Sequence, residues 1–189
     1  MKLDALKKVD VRQLILTLLM LLLTFGVTAL ARVDLDFITR TGTAGAPVGA
    51  YLTLGDVCVY LNVLVLGAPL GILVSALGSL LADWAAGSAA YIIGSVLIKS
   101  AMALFVSAFC IRCDTWKRSL VVAALTETIM VVGYFFYGLL IMAEYLVAAQ
   151  SLPLDIVQGL VCGALGMVLL RLMRPLRPDR LIAVKRTVR

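Results

Sequence analysis

The sequence predicts an all-α, polytopic membrane protein: a six-helix transmembrane bundle with both termini in the cytoplasm. Three observations predict it. Hydrophobic residues make up 62% of the 189 residues and the mean hydropathy is +1.06. Stretches such as Leu14–Ala31 and Leu120–Met142 hold almost no charge. The remaining basic residues fall on one side of the apolar runs. About twenty apolar residues are what a helix needs to cross a hydrocarbon core of roughly 30 Å. Inside lipid every backbone N–H and C=O must pair within its own segment, so the runs have to be helical.

The elements follow in order as a single transmembrane domain over residues 1–189. The first helix, at about 11–31, comes after Lys2, Lys7, Lys8 and Arg12. Ala29-Leu30-Ala31 fits a signal-peptide cleavage site, but the apolar core exceeds the usual length, which favours a retained helix. Residues 32–51 carry Gly42, Gly45, Pro47 and Gly49 and read as an outer loop. A short helix at about 52–66 ends at Gly67-Ala68-Pro69, where Pro69 suits the first turn of a third helix at 69–84. Ala86-Gly87-Ser88 breaks the chain before a fourth helix at about 90–111. The charged loop Arg112–Arg118 precedes a fifth helix at 117–146. Ser151-Leu152-Pro153 opens a sixth at 153–173, followed by a basic cytoplasmic tail, 174–189.

The N-terminus, the loop between the fourth and fifth helices, and the tail from Arg171 onward together carry fourteen Lys and Arg, against Arg32 and Arg40 on the other side. The positive-inside rule therefore places both ends in the cytoplasm. The net charge of +6 reads accordingly as an anchor on anionic membrane lipids, not as a nucleic-acid surface. A chain this short, with no Gly-rich phosphate loop, has no ATPase of its own. Four Cys and no His make a poor metal set. Cys110 and Cys113 form a lone C-x-x-C at a helix end and read as small reduced residues; Cys58 and Cys162 read as packing. No cofactor or metal is expected.

Function then rests on the polar residues at membrane depth. Lys99, in the fourth helix, is costly there unless it meets a partner or a cavity. Glu127 is the expected partner: Lys99 lies about 18 Å above Ile111 and Glu127 about 15 Å above Lys117 at 1.5 Å per residue. Such a pair either fixes helix register or opens into a substrate cavity. Asp56, opening the second helix, reads as a cap or as a site group. Asp83, Trp84 and Tyr91 lie near the outer face, and Asp155 and Gln158 in the first turns of the sixth helix. Trp and Tyr at that level are either interfacial belt residues or ligand-stacking groups. Tyr134 and Tyr137 lie deeper, suited to a ring-shaped ligand. The glycines of the third and sixth helices permit close packing.

Leu54-Gly55-Asp56-Val57, then Leu66-Gly67-Ala68-Pro69, Gly71, Gly78-Ser79, Ala82-Asp83 and Ile98-Lys99 stand in an order similar to a known pattern. The chain resembles the S components of energy-coupling-factor (ECF) vitamin transporters, in the riboflavin-type branch. That branch reads L-G-D, a short apolar run, L-G-P, G-x-x-x-G, L-x-D and I-K-G. Gly133-Tyr134-Phe135 and Pro153 to Gly163 extend the resemblance, which covers about Tyr51 to Arg171. Asp155 stands where the pattern has Asn. An early Ala-x-x-x-Ala used by many S components for docking is missing, with Thr24 and Thr28 the nearest small pair.

The resemblance implies six helices, capture of a small vitamin or precursor (riboflavin-, pyrimidine- or pyridoxine-like) at the outer face, and no enzyme activity. It implies an ECF coupling subunit and two ATPase subunits as partners, in a prokaryotic plasma membrane. The expected substrate-binding residues are Asp83, Trp84, Tyr91, Lys99, Glu127, Tyr134 and Gln158. Two other classes compete with this reading. An intramembrane enzyme on a lipid or isoprenoid usually shows clustered Asp or His for metal–diphosphate chemistry, whereas the acids here are scattered. In a structural assembly protein, Lys99 and its partner only hold helices together.

Overall fold

The computed structural model describes residues 11–34, 51–110, 113, 115–140 and 145–173. Among them lie six α-helices: α1 Val11–Leu30, α2 Gly55–Leu66, α3 Ala68–Ala85, α4 Ile92–Phe109, α5 Trp116–Leu140 and α6 Tyr145–Leu172. A 3-10 turn, Ala89–Tyr91, leads into α4. Five spans have the length and apolarity to cross a membrane, and α2 is the short exception with 12 residues. The all-α bundle expected from hydropathy is thus present. So is a small element that hydropathy misses: β1 (Arg32–Asp34) pairs antiparallel with β2 (Tyr51–Thr53), with Arg32 opposite Thr53. The loop between the strands, 35–50, and the basic tail, 174–189, lie outside the described residues.

Two boundaries differ from the expectation. Helix α6 begins at Tyr145 rather than near 153, so Pro153 lies inside it. Its missing N–H frees the carbonyl one turn earlier without ending the helix. Helix α5 ends at Leu140, before the predicted 146.

Small residues bring the helices together. A Cβ added at Gly71 would stand 2.8 Å from the Val63 Cα and 2.9 Å from the Asn62 carbonyl oxygen, so α2 and α3 touch backbone to backbone. Gly78 receives Thr24 of α1, and Gly55 receives Thr28. Thr24 and Thr28 are therefore buried inside the bundle, which makes α1 part of the packed structure. Asn62 donates to Thr24 Oγ1 (3.0 Å) and to Ser75 Oγ (3.1 Å), joining α1, α2 and α3 by side-chain hydrogen bonds.

Between α2, α4 and α5 lies the apolar core, with Val59, Val63, Met102, Val106, Ala123 and Met130 almost fully buried. It fills the end of the bundle away from the ribbon. There the Arg171 guanidinium lies 5.9 Å over the Trp116 ring, linking α6 to α5. All four cysteines are free and buried, and the Cys110 and Cys113 thiols face the carbonyls of Ser107 and Phe109 at 3.7 Å. The ribbon end is packed differently. Its interior is polar and partly hollow.

Candidate functional site

Each helix reaching the ribbon end turns a polar stripe inward. On α3 the stripe is Ser75, Ser79 and Asp83; on α4, Ser95 and Lys99; on α6, Ser151, Asp155 and Gln158. Spacings of three and four residues put side chains on one helix face. All of these residues but Ser75, with Thr28 of α1 and Thr53 of β2, line a cavity of about 690 Å³, counting the solvent space open at its mouth. Tyr91 and Tyr134 supply aromatic wall, and Gly138 and Ala148 leave room where bulkier residues would fill it.

A buried ionic network forms one wall. Lys99 Nζ donates to Asp56 Oδ1, and both side chains are almost completely buried. Gln158 Nε2 donates to Asp56 Oδ2, while its Oε1 accepts the Thr53 backbone N–H at 2.9 Å. One amide therefore ties strand β2 to the ion pair. The Lys99 ammonium also lies 5.5 Å over the Tyr134 ring, whose hydroxyl shares a 2.8 Å hydrogen bond with Ser95 Oγ. The Asp56 carboxylate and the Tyr134 ring compensate the desolvation of this cation, the condition under which a buried charge is tolerated.

Five of the seven residues expected from the sequence meet in this cavity: Asp83, Tyr91, Lys99, Tyr134 and Gln158. Two do not. Trp84 is 71% exposed on the outer surface of α3, because one helical residue past inward-facing Asp83 is a rotation of about 100°. Glu127 is buried outside the cavity lining. Its Oε1 accepts the Tyr60 hydroxyl at 2.8 Å, and Gly159 and Gly163 of α6 leave the space its side chain occupies. The expected Lys99–Glu127 pair is thus corrected to Lys99–Asp56. Asp56 in turn is no cap, since its side chain caps no N–H of α2 and is spent on Lys99 and Gln158.

Tyr137 faces away from the cavity role as well. Its hydroxyl donates to the Ala90 carbonyl at 2.6 Å and its ring packs over Gly94, fixing the start of α4. Residues the sequence reading did not single out for the site are Thr28, Thr53, Ser79, Ser95, Ser151 and Asp155. The four-residue spacings Ser79–Asp83, Ser95–Lys99 and Ser151–Asp155 were the available signal.

Such an arrangement can bind: it offers hydroxyls, carboxylates, one shared ammonium and two rings to a molecule entering at the ribbon end. Among comparisons with known proteins, the family model described as ECF-type riboflavin transporter, S component, matches residues 18–175. No curated protein and no solved structure matches the chain significantly.

Proposed function

The chain belongs to the S components of ECF-type riboflavin transporters, multi-pass membrane subunits that bind the substrate in vitamin uptake, and from that premise we propose what it captures and how. It takes a small vitamin or vitamin precursor, riboflavin-, pyrimidine- or pyridoxine-like, into the cavity at the ribbon end. It delivers this ligand inward only with an ECF coupling subunit and two ATPase subunits. The observation that carries the reading is the cavity itself: polar stripes from α3, α4 and α6 converge on it, and its mouth lies beside the ribbon. The chemistry offered is recognition, so the protein is read as a capture subunit and not as an enzyme.

Purified protein in proteoliposomes is expected to bind a radiolabelled vitamin without ATP and not to accumulate it. Accumulation is expected only when coupling and ATPase subunits and ATP are added. Accumulation by the isolated chain under an ion gradient alone would move it to the secondary transporters, and turnover of a lipid substrate would move it to the enzymes.

The orientation proposed is cytoplasmic at both ends, in a prokaryotic plasma membrane, supported by the fourteen-to-two distribution of basic residues. Single cysteines introduced at Lys117 and at Ala86, both exposed and lying at opposite ends of the helices, in a chain whose four native cysteines are replaced, report it. A membrane-impermeant maleimide on intact cells is expected to reach position 86 and not 117. Labelling of position 117 from outside overturns the orientation.

A further inference from the structure

Resting on the capture reading above, we propose that Asp155 sets the selectivity of the cavity, and that the ligand group it reads is a neutral hydroxyl. The cavity then takes a small hydroxyl-bearing molecule over the analogue in which that hydroxyl is replaced by hydrogen. Asp155 belongs to the lining, one turn after Ser151 and three residues before Gln158. Its carboxyl has Ser151 as a hydrogen-bonding neighbour. Its Oδ2, however, is buried and has no hydrogen-bond partner in the protein. A polar atom shut away from water without a partner is costly. This one belongs to a residue of the cavity wall, where an occupant can supply what is missing.

The chemistry of the gap selects the group that fills it. As a carboxylate, Asp155 accepts from a hydroxyl; as a carboxylic acid, it donates to one. A hydroxyl therefore completes it in either proton state, whereas a carbonyl can only accept and an ammonium can only donate. The neighbouring serines ask for the same occupant. Ser79 Oγ gives its hydrogen to the Ser75 carbonyl at 2.9 Å, and Ser151 Oγ gives its own to the Ala148 carbonyl at 3.3 Å or to the Asp155 carboxyl. Each has one hydrogen, so both present only lone pairs to the cavity. On α4 and α5, Ser95 and Tyr134 share a hydrogen bond at 2.8 Å, which uses one of their two hydroxyl hydrogens and leaves the other for an acceptor. Ser79 and Ser151 thus take a hydrogen from a ligand while the Ser95–Tyr134 pair gives one, and a hydroxyl answers both. A site made to hydrogen-bond a hydroxyl discriminates against the analogue without it, because its own buried groups are then left unpaired.

The test uses the full chain in detergent and three matched probe sets: riboflavin and lumiflavin, which lacks the hydroxylated side chain; pyridoxine and its two deoxy forms, each lacking one alcohol; hydroxymethylpyrimidine and its methyl counterpart. Equilibrium dialysis gives the affinities. Within the set that binds, the hydroxylated member is expected to bind at least about tenfold tighter than a form without the hydroxyl. Asp155→Leu, which keeps the bulk but cannot hydrogen-bond, is expected to bring the two within about threefold of each other. Asp155→Ala is expected to do the same and serves if the Leu variant folds poorly. Asp155→Asn, which keeps a donor and an acceptor, is expected to retain the preference. A molecule carried through purification and identified by mass spectrometry is expected to bear an alcohol. Equal affinities across the set that binds, a preference that survives in both the Leu and Ala variants, or a carried molecule without a hydroxyl overturns the role of Asp155 and leaves the capture reading standing. Failure of every probe, with no molecule carried through purification, takes down the capture reading itself.

Discussion

Lys99→Met should lower stability by about 3–5 kcal/mol, the cost of leaving one member of a buried ion pair uncompensated. The orphan is Asp56, whose side chain is fully enclosed and would keep only the Gln158 amide as donor. Adding Asp56→Asn removes the stranded charge, keeps an acceptor for Gln158, and should recover most of the loss. Thermal denaturation of the four proteins in detergent closes the double-mutant cycle. A coupling energy near zero would mean that the pair does not exist in the folded protein. The parallel cycle with Glu127→Gln should show a smaller coupling, since Glu127 bonds to Tyr60 and acts on Lys99 only through its charge.

Gly71→Ala should rank with it, at about 3 kcal/mol, the upper end of overpacking costs. Most tight glycines in this bundle face a side chain, which can rotate. Gly133, for example, faces the end of Ile98. Gly71 faces the backbone of Val63 and Asn62, and backbone in a helix cannot yield without moving α2. Moving α2 disturbs Asp56 at its start and Asn62 between α1 and α3. Gly26 on α1 provides the control: its Cβ would meet nothing within 4 Å, so Gly26→Ala should be neutral or slightly stabilising through helix propensity. Equal midpoints for the two variants would mean that α2 and α3 are not in backbone contact.

Hydropathy made five spans legible from the sequence because lipid imposes it on every turn of a membrane helix. Depth was legible as well, since rise per residue is fixed. Azimuth was not. Lys99 and Glu127 lie at similar depths, yet depth does not say which side chains face each other, and α2 brings Asp56 to the place assigned to Glu127. The sequence leaves Asp56 open as a cap or as a site group, and depth alone does not choose between it and Glu127 as the partner of Lys99. Trp84 was misplaced for the same reason: its neighbour Asp83 faces in, and adjacent residues on a helix cannot share a face. The Ser–x-x-x–Asp and Ser–x-x-x–Lys spacings do encode azimuth, and they identify the cavity wall better than aromatic content does. The ribbon was invisible because three-residue strands in a polar segment carry no periodicity worth counting.

The shortness of α2 has an electrical consequence. Twelve residues rise only about 18 Å, against roughly 30 Å of hydrocarbon. If α2 ends near the cytoplasmic face, as the proposed orientation has it, the ribbon that precedes it sits at a depth where irregular backbone survives only beside water or within protein. In the orientation proposed above, water entering the cavity toward Lys99 would extend the outside solution part-way into the bilayer, and the transmembrane voltage would drop mainly across the apolar layer of Val59, Val63, Met102 and Met130. A charged solute resting in the cavity has crossed little of that voltage. Most of the electrical work, about 2.3 kcal/mol per charge for each 100 mV, still lies ahead of it, on the stretch between the ion pair and the cytoplasm.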